Sequence, residues 1–299
     1  MTLRELRFIV AVAREKNFRR AAEKSFVSQP ALSLGIQKIE EELGVQIFER
    51  SRSNVSITKI GEKIINQSIL VLEEADKIKE LSALDNKNLN VPFRLGLIYS
   101  IAPYLLPLII PLLKEEDIEN SLEVEENITK NFEEQLKQGL IDAVIMALPL
   151  DLQGIETVPL YHEPFEVIVP ANHSWSKRKE IKPTDLADHK VLLLDNTHCF
   201  SNQVLEACPG IHENSQIFAG NSLETIRNMV ASNLGVSVLP KSATCQSYHD
   251  PLVKVIPFKR PAPLRTVALA YRKSTAKKNK INEVVKTIQS LNVEAFKLL

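Results

Sequence analysis

The stretch "SFVSQPALSLGIQKIEEELG", residues 25–44, decides how the N-terminal part of the chain is read. Ser28 offers a hydroxyl to cap a helix, and Pro30 falls in the first turn, where a missing N–H costs nothing. Leu32, Ile36, Ile39 and Leu43 then recur at helical spacing until Gly44 stops the run. Upstream, Leu3, Leu6, Phe8, Ile9, Val12 and Ala13 make an amphipathic helix. It breaks at Lys16-Asn17 and resumes as a short one through Phe18, Ala21 and Ala22. Downstream, "VQIFERSRSNVSIT" (45–58) supplies two short β-like runs around a basic turn that holds Arg50 and Arg52. Two helices, a turn, a third helix and a basic hairpin predict a winged helix-turn-helix over residues 1–58.

From Thr58 onward, Ile60, Ile64, Ile65, Ile69, Leu72, Ala75, Ile78 and Leu81 form an apolar stripe uninterrupted by proline. A long amphipathic helix is expected there, with Ile64, Ile65, Leu72 and Ile78 as an intersubunit seam and residues 59–90 as a linker and dimerisation arm. The polar run Asp85–Asn90 and Pro92 close it. Beyond it, "FRLGLIY" (93–99), "SLEVEEN" (121–127) and "IDAVIMA" (141–147) read as strands, with helices at 101–116 and 131–139 between them. "FEVIVP" (165–170), "KVLLLD" (190–195), "GVSVLP" (235–240) and "TVALAYR" (266–272) continue the theme. Strand and helix in alternation predict an α/β domain over 91–299 with a parallel sheet.

Lys+Arg and Asp+Glu balance at 37 each, so the whole chain carries no signature of a polyanionic partner, although residues 1–60 hold more basic than acidic side chains. The N-terminus "MTLRELRFIVAVAREKNF" mixes charges into its apolar positions and is no secretory signal, and no window reaches the ~18 apolar residues of a membrane span. A cytoplasmic location follows as the expectation. In that reducing compartment three cysteines do not form a structural disulfide framework.

Three strings together, "FRRAAEKSFVSQPALS" (18–33), "IEEELGVQIFERS" (39–51) and "NSLETIRNMVASNLGVSVLP" (221–240), resemble the LysR-type transcriptional regulators over essentially the whole chain. The resemblance implies an N-terminal winged helix-turn-helix and a linker helix. It also implies a C-terminal periplasmic-binding-protein-like effector domain of two subdomains, one at about 91–163 and 266–299 and the other at about 164–265. It further implies a homodimer assembling into a homotetramer on double-stranded operator DNA, with RNA polymerase as a partner if the bound protein activates. No enzymatic activity, cofactor or metal is implied.

A recognition helix enters the major groove by its N-terminal residues, which makes Ser28, Gln29, Pro30 and Ser33 groove-facing, with Gln37 and Lys38 a turn further on. Arg50, Arg52 and Lys59 would meet phosphates. Leu34 and Gly35 stand where the family often carries polar or basic side chains, and Gly35 within a helix costs up to ~1 kcal/mol.

Within the effector domain, "LLLDNTHC" (192–199), a second cysteine nine positions on, and "RTVALAYR" (265–272) are most similar to the hydrogen-peroxide-sensing OxyR branch. What that similarity implies is Cys199 as the peroxidatic sensor thiol and Cys208 as the resolving thiol of a reversible disulfide. Ser100, Thr129 and His198 would line the peroxide pocket, and Arg265 is counted with them. Ser100 stands where threonine is usual, and Ser201 and Asn202 stand where an Arg-Asp pair often follows the thiol.

Chemistry that does not depend on the resemblance bears on the same residues. A thiolate is favoured by a helix N-terminus or a nearby cation, and His198 and Arg265 are candidate cations. Asn196 or Thr197 could cap a helix from about Cys199 to Ala207, ended by Pro209-Gly210. Nine helical residues span about 13.5 Å, whereas a disulfide tolerates less than ~7 Å between α-carbons, so bonding requires the helix to unwind. The plainer reading of either cysteine is a small buried hydrophobe, and of Cys245 the same. His198, Cys199, Cys208 and His212 lack the spacing of a metal site. Two other functions compete: a LysR-type regulator of a small organic effector with incidental cysteines, and a thiol peroxidase. No P-loop, nucleophile elbow or metalloprotease motif is present.

Overall fold

The computed structural model describes residues 1–50, 55–85, 92–115, 122–209, 211 and 218–299. Its contacts divide the chain into two units: Met1–Val91 with Lys137–Leu140 and Lys273–Lys277, and Pro92–Leu136, Ile141–Arg272 and Lys278–Leu299.

In the first unit, α1 (Leu3–Glu15) starts on a capping box in which Thr2 and Glu5 satisfy each other's backbone N–H groups, and it ends at Lys16 in the left-handed region. Asn17 caps α2 (Phe18–Lys24), and Ser28 caps α3 (Gln29–Leu43) by accepting from the Ala31 N–H. Gly44, at φ 66°, closes α3 as its pattern predicts. The strands β1 (Phe48–Arg50) and β2 (Val55–Ile57) pair antiparallel. Glu40 fixes where this hairpin begins, since its Oε1 accepts from the N–H groups of Ile47 and Phe48 at 2.7 and 3.0 Å. Ile9, Val12, Ala21, Leu32, Ile36, Ile39 and Ile47 close the core with no exposed surface.

The helix α4 (Lys59–Asp85) has the expected length, but its apolar stripe divides. Ile65 and Ile69 are buried in this unit's own core, with Ile64 and Leu72 packed against it. Ile60, Leu70 and Ile78 remain exposed. Ile65 therefore belongs to intramolecular packing rather than to a seam with another subunit.

The second unit is built on one sheet of order β4-β3-β5-β11-β6-β9-β7-β8. Here β3 is Phe93–Ile98, β4 Leu122–Asn127, β5 Ala143–Ala147, β6 Ile155–Pro170, β7 Val191–Leu194, β8 Phe218–Gly220, β9 Val236–Pro240 and β11 Leu264–Arg272. Two further strands, β10 (Val253–Pro257) and β12 (Lys297–Leu298), pair with β6. The sheet is mixed, which corrects the expectation of a parallel one. β3 lies parallel to β4 and β5, and β7 lies parallel to β8 and β9. β11 and β6, however, run antiparallel to each other and to their neighbours β5 and β9.

The 16-residue β6 explains the two-lobed arrangement. Its first part pairs with β11 in a core with Phe93, Leu97, Phe132, Val144 and Leu269, and its end pairs with β9 and β10 in a core with Phe165, Val167, Leu192, Val204 and Val238. Around these lie α5 (Ala102–Glu115), α6 (Thr129–Lys137), α7 (Cys199–Ala207), α8 (Leu223–Ala231) and α9 (Lys278–Gln289). Among the described residues no helix is long and apolar enough to cross a membrane.

Candidate functional site

Three segments of the second unit converge on a small pocket. The end of β3 contributes Ile98 and the turn after it Ser100, the β4–α6 junction contributes Asn127, Ile128 and Thr129, and the start of α7 contributes His198 and Cys199. The space they enclose, about 10 Å³, is at the lower limit for one water-sized molecule. The hydroxyl oxygen of Thr129 is buried with no hydrogen-bond partner, so a donor and an acceptor stand unused in the wall of a cavity of that size.

Cys199 is half-buried and is the first residue of α7, which directs the helix's free N–H groups and positive dipole end toward its thiol. The cap differs from the expectation. His198 occupies the N-cap position without a side-chain hydrogen bond. Thr197 is taken by Asp195 instead: its backbone N–H donates to Asp195 Oδ1 at 2.8 Å, and its hydroxyl donates to the same oxygen. These bonds hold the Asp195 carboxyl below the usual carboxylate range. Asp195 Oδ2 lies 3.8 Å from His198 Nε2, and the His198 ring packs edge-on against Tyr99 at 5.8 Å between centroids.

Arg265 does not line this pocket. Its guanidinium donates to Glu163 at 2.7 Å, to Ser100 Oγ at 2.8 Å and to the Ser100 carbonyl at 2.9 Å, and both partners of the ion pair are fully buried. The Ser242 N–H donates to the other Glu163 oxygen at 3.0 Å. Arg265 thus fixes Ser100 from behind, while the charge expected to face the thiol is matched by Glu163. It also lies 5.3 Å over the ring of Phe200, the residue after Cys199.

Cys208 caps the other end of α7 and is fully buried in the β6–β9 core, where burial pushes its thiol up to about 12. Cys199 packs against the other core. With Cys208 nine positions after Cys199 along the helix, about 13.5 Å at the ordinary rise, the two thiols are held apart as the spacing predicts. Cys245 is half-buried in a short turn and stands outside the pocket. His212 lies outside the described residues, among which no group of three or more His, Cys, Asp or Glu could hold a metal.

On the first unit, Ser28, Gln29 and Pro30 are exposed at the start of α3 and Ser33 is half-buried. Gln37 is exposed and donates to Glu41. Lys38 is committed to Glu5, 3.2 Å away. Lys59 is exposed at the start of α4. Arg50 ends β1, and Arg52 lies outside the described residues. Gly35 is a packing notch: a Cβ there would meet Phe8 Cδ2 of α1 at 2.9 Å. Sequence reasoning missed Glu163, Asp195 and Glu5. Their polar partners are fixed by the fold, and only the Asp195-Thr197 turn had a local signal, an aspartate two residues ahead of a threonine.

Comparison with known proteins follows the same division. Residues 3–62 match the bacterial regulatory helix-turn-helix protein of the lysR family, and residues 88–292 match the LysR substrate binding domain. The chain is 36% identical over 290 residues to a hydrogen peroxide-inducible genes activator of Haemophilus influenzae, covering 96% of each. It is 35% identical over 292 residues to the DNA-binding transcriptional dual regulator OxyR of Escherichia coli, covering 97% of this chain and 95% of that one. Among solved structures, it is similar to a full-length cysteine-to-aspartate variant of OxyR from Pseudomonas aeruginosa at 44% identity and TM-score 0.85, covering 99% and 98% of the two chains. A peroxide-bound cysteine variant of OxyR from Corynebacterium glutamicum is similar at 31% identity and TM-score 0.64, covering 96% and 91%.

Proposed function

We propose, from the premise that this chain belongs to the LysR family of bacterial DNA-binding transcriptional regulators, that it responds to hydrogen peroxide through Cys199. The observation that carries this reading is the placement of Cys199. It is the first residue of a helix and lines a pocket of about 10 Å³ together with the unpartnered Thr129 hydroxyl, while the only thiol in the same helix frame is sealed in another core.

The chemistry is a two-electron oxidation in two steps. The Cys199 thiolate attacks one peroxide oxygen, and the O–O bond breaks. Hydroxide leaves and takes up a proton as water, and the sulfur becomes a sulfenic acid. The Cys208 sulfur then displaces the sulfenic hydroxyl, a second water leaves and the disulfide forms. Because the disulfide cannot span α7 as a helix, the second step couples to unwinding of α7, and this re-spaces the DNA-binding arms of a homodimeric or homotetrameric assembly on duplex operator DNA. His198, Ser100 and Thr129 shape the peroxide pocket, with Arg265 holding Ser100. Ser28, Gln29, Pro30 and Ser33 face the groove. The assembly acts in the cytoplasm and contacts RNA polymerase where it activates.

Mass mapping of alkylated protein before and after one equivalent of peroxide tests this. A Cys199–Cys208 link is expected in the native protein, no response in Cys199→Ser, and a sulfenic or over-oxidised Cys199 in Cys208→Ser. Both thiols free after oxidation, or an operator footprint that still changes in Cys199→Ser, would return the protein to the class that answers a small organic effector.

A further inference from the structure

Phe26 is the most exposed large hydrophobic residue described, at 95% of its surface, and it stands in the turn between α2 and α3. Its backbone is at φ +53°, the left-handed region, where a bulky side chain crowds the following carbonyl. Nothing about that turn is loose. The Phe26 N–H donates to Glu23 O at 3.2 Å and the Val27 N–H to Ala22 O at 3.1 Å, while the Val27 side chain packs on the core and Ser28 then caps α3.

A phenylalanine at this position is unfavourable twice within its own unit, once for the backbone conformation and once for the wetted ring, and no neighbour among the described residues covers it. Asparagine or glycine would fit the same turn without either cost. An observed outlier of this kind points to something met outside the chain. Phe26 stands two residues ahead of Ser28, the cap of α3, on the turn that delivers the exposed Gln29 and Pro30.

We infer that Phe26 is a DNA-contact residue, its ring packing on an apolar element of the duplex next to the groove that α3 enters. This rests on α3 being the recognition helix. Duplex DNA offers two such elements, the thymine 5-methyl group in the major groove and the carbons of the deoxyribose edge.

The experiment uses the full-length reduced protein and duplexes that it enriches itself from a random pool, with affinity read by anisotropy titration at fixed salt. Phe26→Asn and Phe26→Gly should each weaken binding by about fourfold or more, the worth of one buried methyl group. Phe26→Asn should at the same time raise the thermal midpoint, a pairing that a purely structural role does not produce. A duplex with deoxyuridine for thymine separates the two contacts. If the variants' loss vanishes on it, the methyl group is the contact; if the loss persists unchanged, the sugar edge is. Both variants binding the enriched duplex as tightly as the native protein, or a lowered midpoint with a changed sedimenting species, overturns the inference and leaves α3 as recognition helix intact. Failure of the native protein to enrich any duplex would instead remove the premise for both.

Discussion

Cys199 and Cys208 are the first residue and the C-cap of one nine-residue helix, yet they pack into different hydrophobic cores of the effector unit. Separation is thus enforced at both ends. The Phe200, Val204 and Cys208 face is anchored between the sheet and its helices, while Cys199 faces the pocket. A helix of this length is marginal alone, so α7 exists by virtue of that packing, and under the proposed mechanism its opening would govern how fast the two sulfurs meet.

The rate of disulfide closure should therefore follow the stability of α7. Asn202 is exposed on that helix, and Asn202→Ala adds helix propensity of roughly 0.5 kcal/mol without touching either thiol. Timed alkylation should find sulfenic acid forming at the native rate and disulfide appearing about twofold more slowly. Sub-denaturing urea should do the reverse to the second step. Equal slowing of both steps, or of neither, would detach closure from helix opening.

Burial of Cys208 has a pH consequence. Its thiol is pushed up to about 12 in the folded chain, above its unfolded value, so it contributes stability that is present below about pH 9 and is lost as pH rises toward 12. Between pH 8 and 10.5 the loss amounts to up to about 2 kcal/mol. Urea midpoints for the reduced protein and for Cys208→Ala should converge as pH is raised through this window. Parallel curves would show that the thiol titrates normally.

Thr129 separates chemistry from stability. Its hydroxyl is buried and unpartnered, so Thr129→Val removes a group that the resting fold does not use and should leave the thermal midpoint unchanged or slightly raised. Sulfenic acid formation should fall by about a hundredfold, as expected for loss of one preorganised hydrogen-bonding group at a reacting oxygen. A native reaction rate in this variant would move peroxide out of the pocket.

Much of the DNA-binding unit was legible because its signals are local. Ser28, Asn17 and Gly44 act as caps within a few residues of the helices they bound. The alternating elements likewise gave the α/β class. The sheet's mixed direction was not legible, because only 165–170 of β6 was marked as a strand, and the part that runs antiparallel to β11 carries Pro159 and Pro164, residues disfavoured inside a sheet. In the fold Pro159 pairs with Ala268 at a register shift, and Pro164 sits opposite Leu264 at the end of β11, two places where a missing N–H does no harm. The site shows the same divide. The placement of Cys199 in a first helical turn followed from sequence, whereas the Glu163–Arg265 pair joins residues 102 apart and withdraws from the thiol a guanidinium named among its candidate cations.

Lys38 tests whether charge on α3 serves DNA or the fold. Its ammonium lies 3.2 Å from Glu5, whose carboxyl it holds below the usual carboxylate range. With the ammonium largely exposed and screened, the pair is worth at most about 1 kcal/mol. A carboxyl with a lowered folded value contributes stability above its unfolded value and loses it as pH falls through the folded one. Lys38→Met should therefore be slightly less stable than the native protein at pH 7, with the gap closing below about pH 4. A phosphate contact would be worth about 0.9 in the slope of log affinity against log salt. Because Glu5 already neutralises Lys38, the Lys38→Met slope should match the native one, while the Gln29→Ala, Ser33→Ala double variant loses preference for the enriched duplex over random DNA. A slope reduced by about 0.9 in Lys38→Met would show that the lysine leaves Glu5 for the backbone when DNA binds.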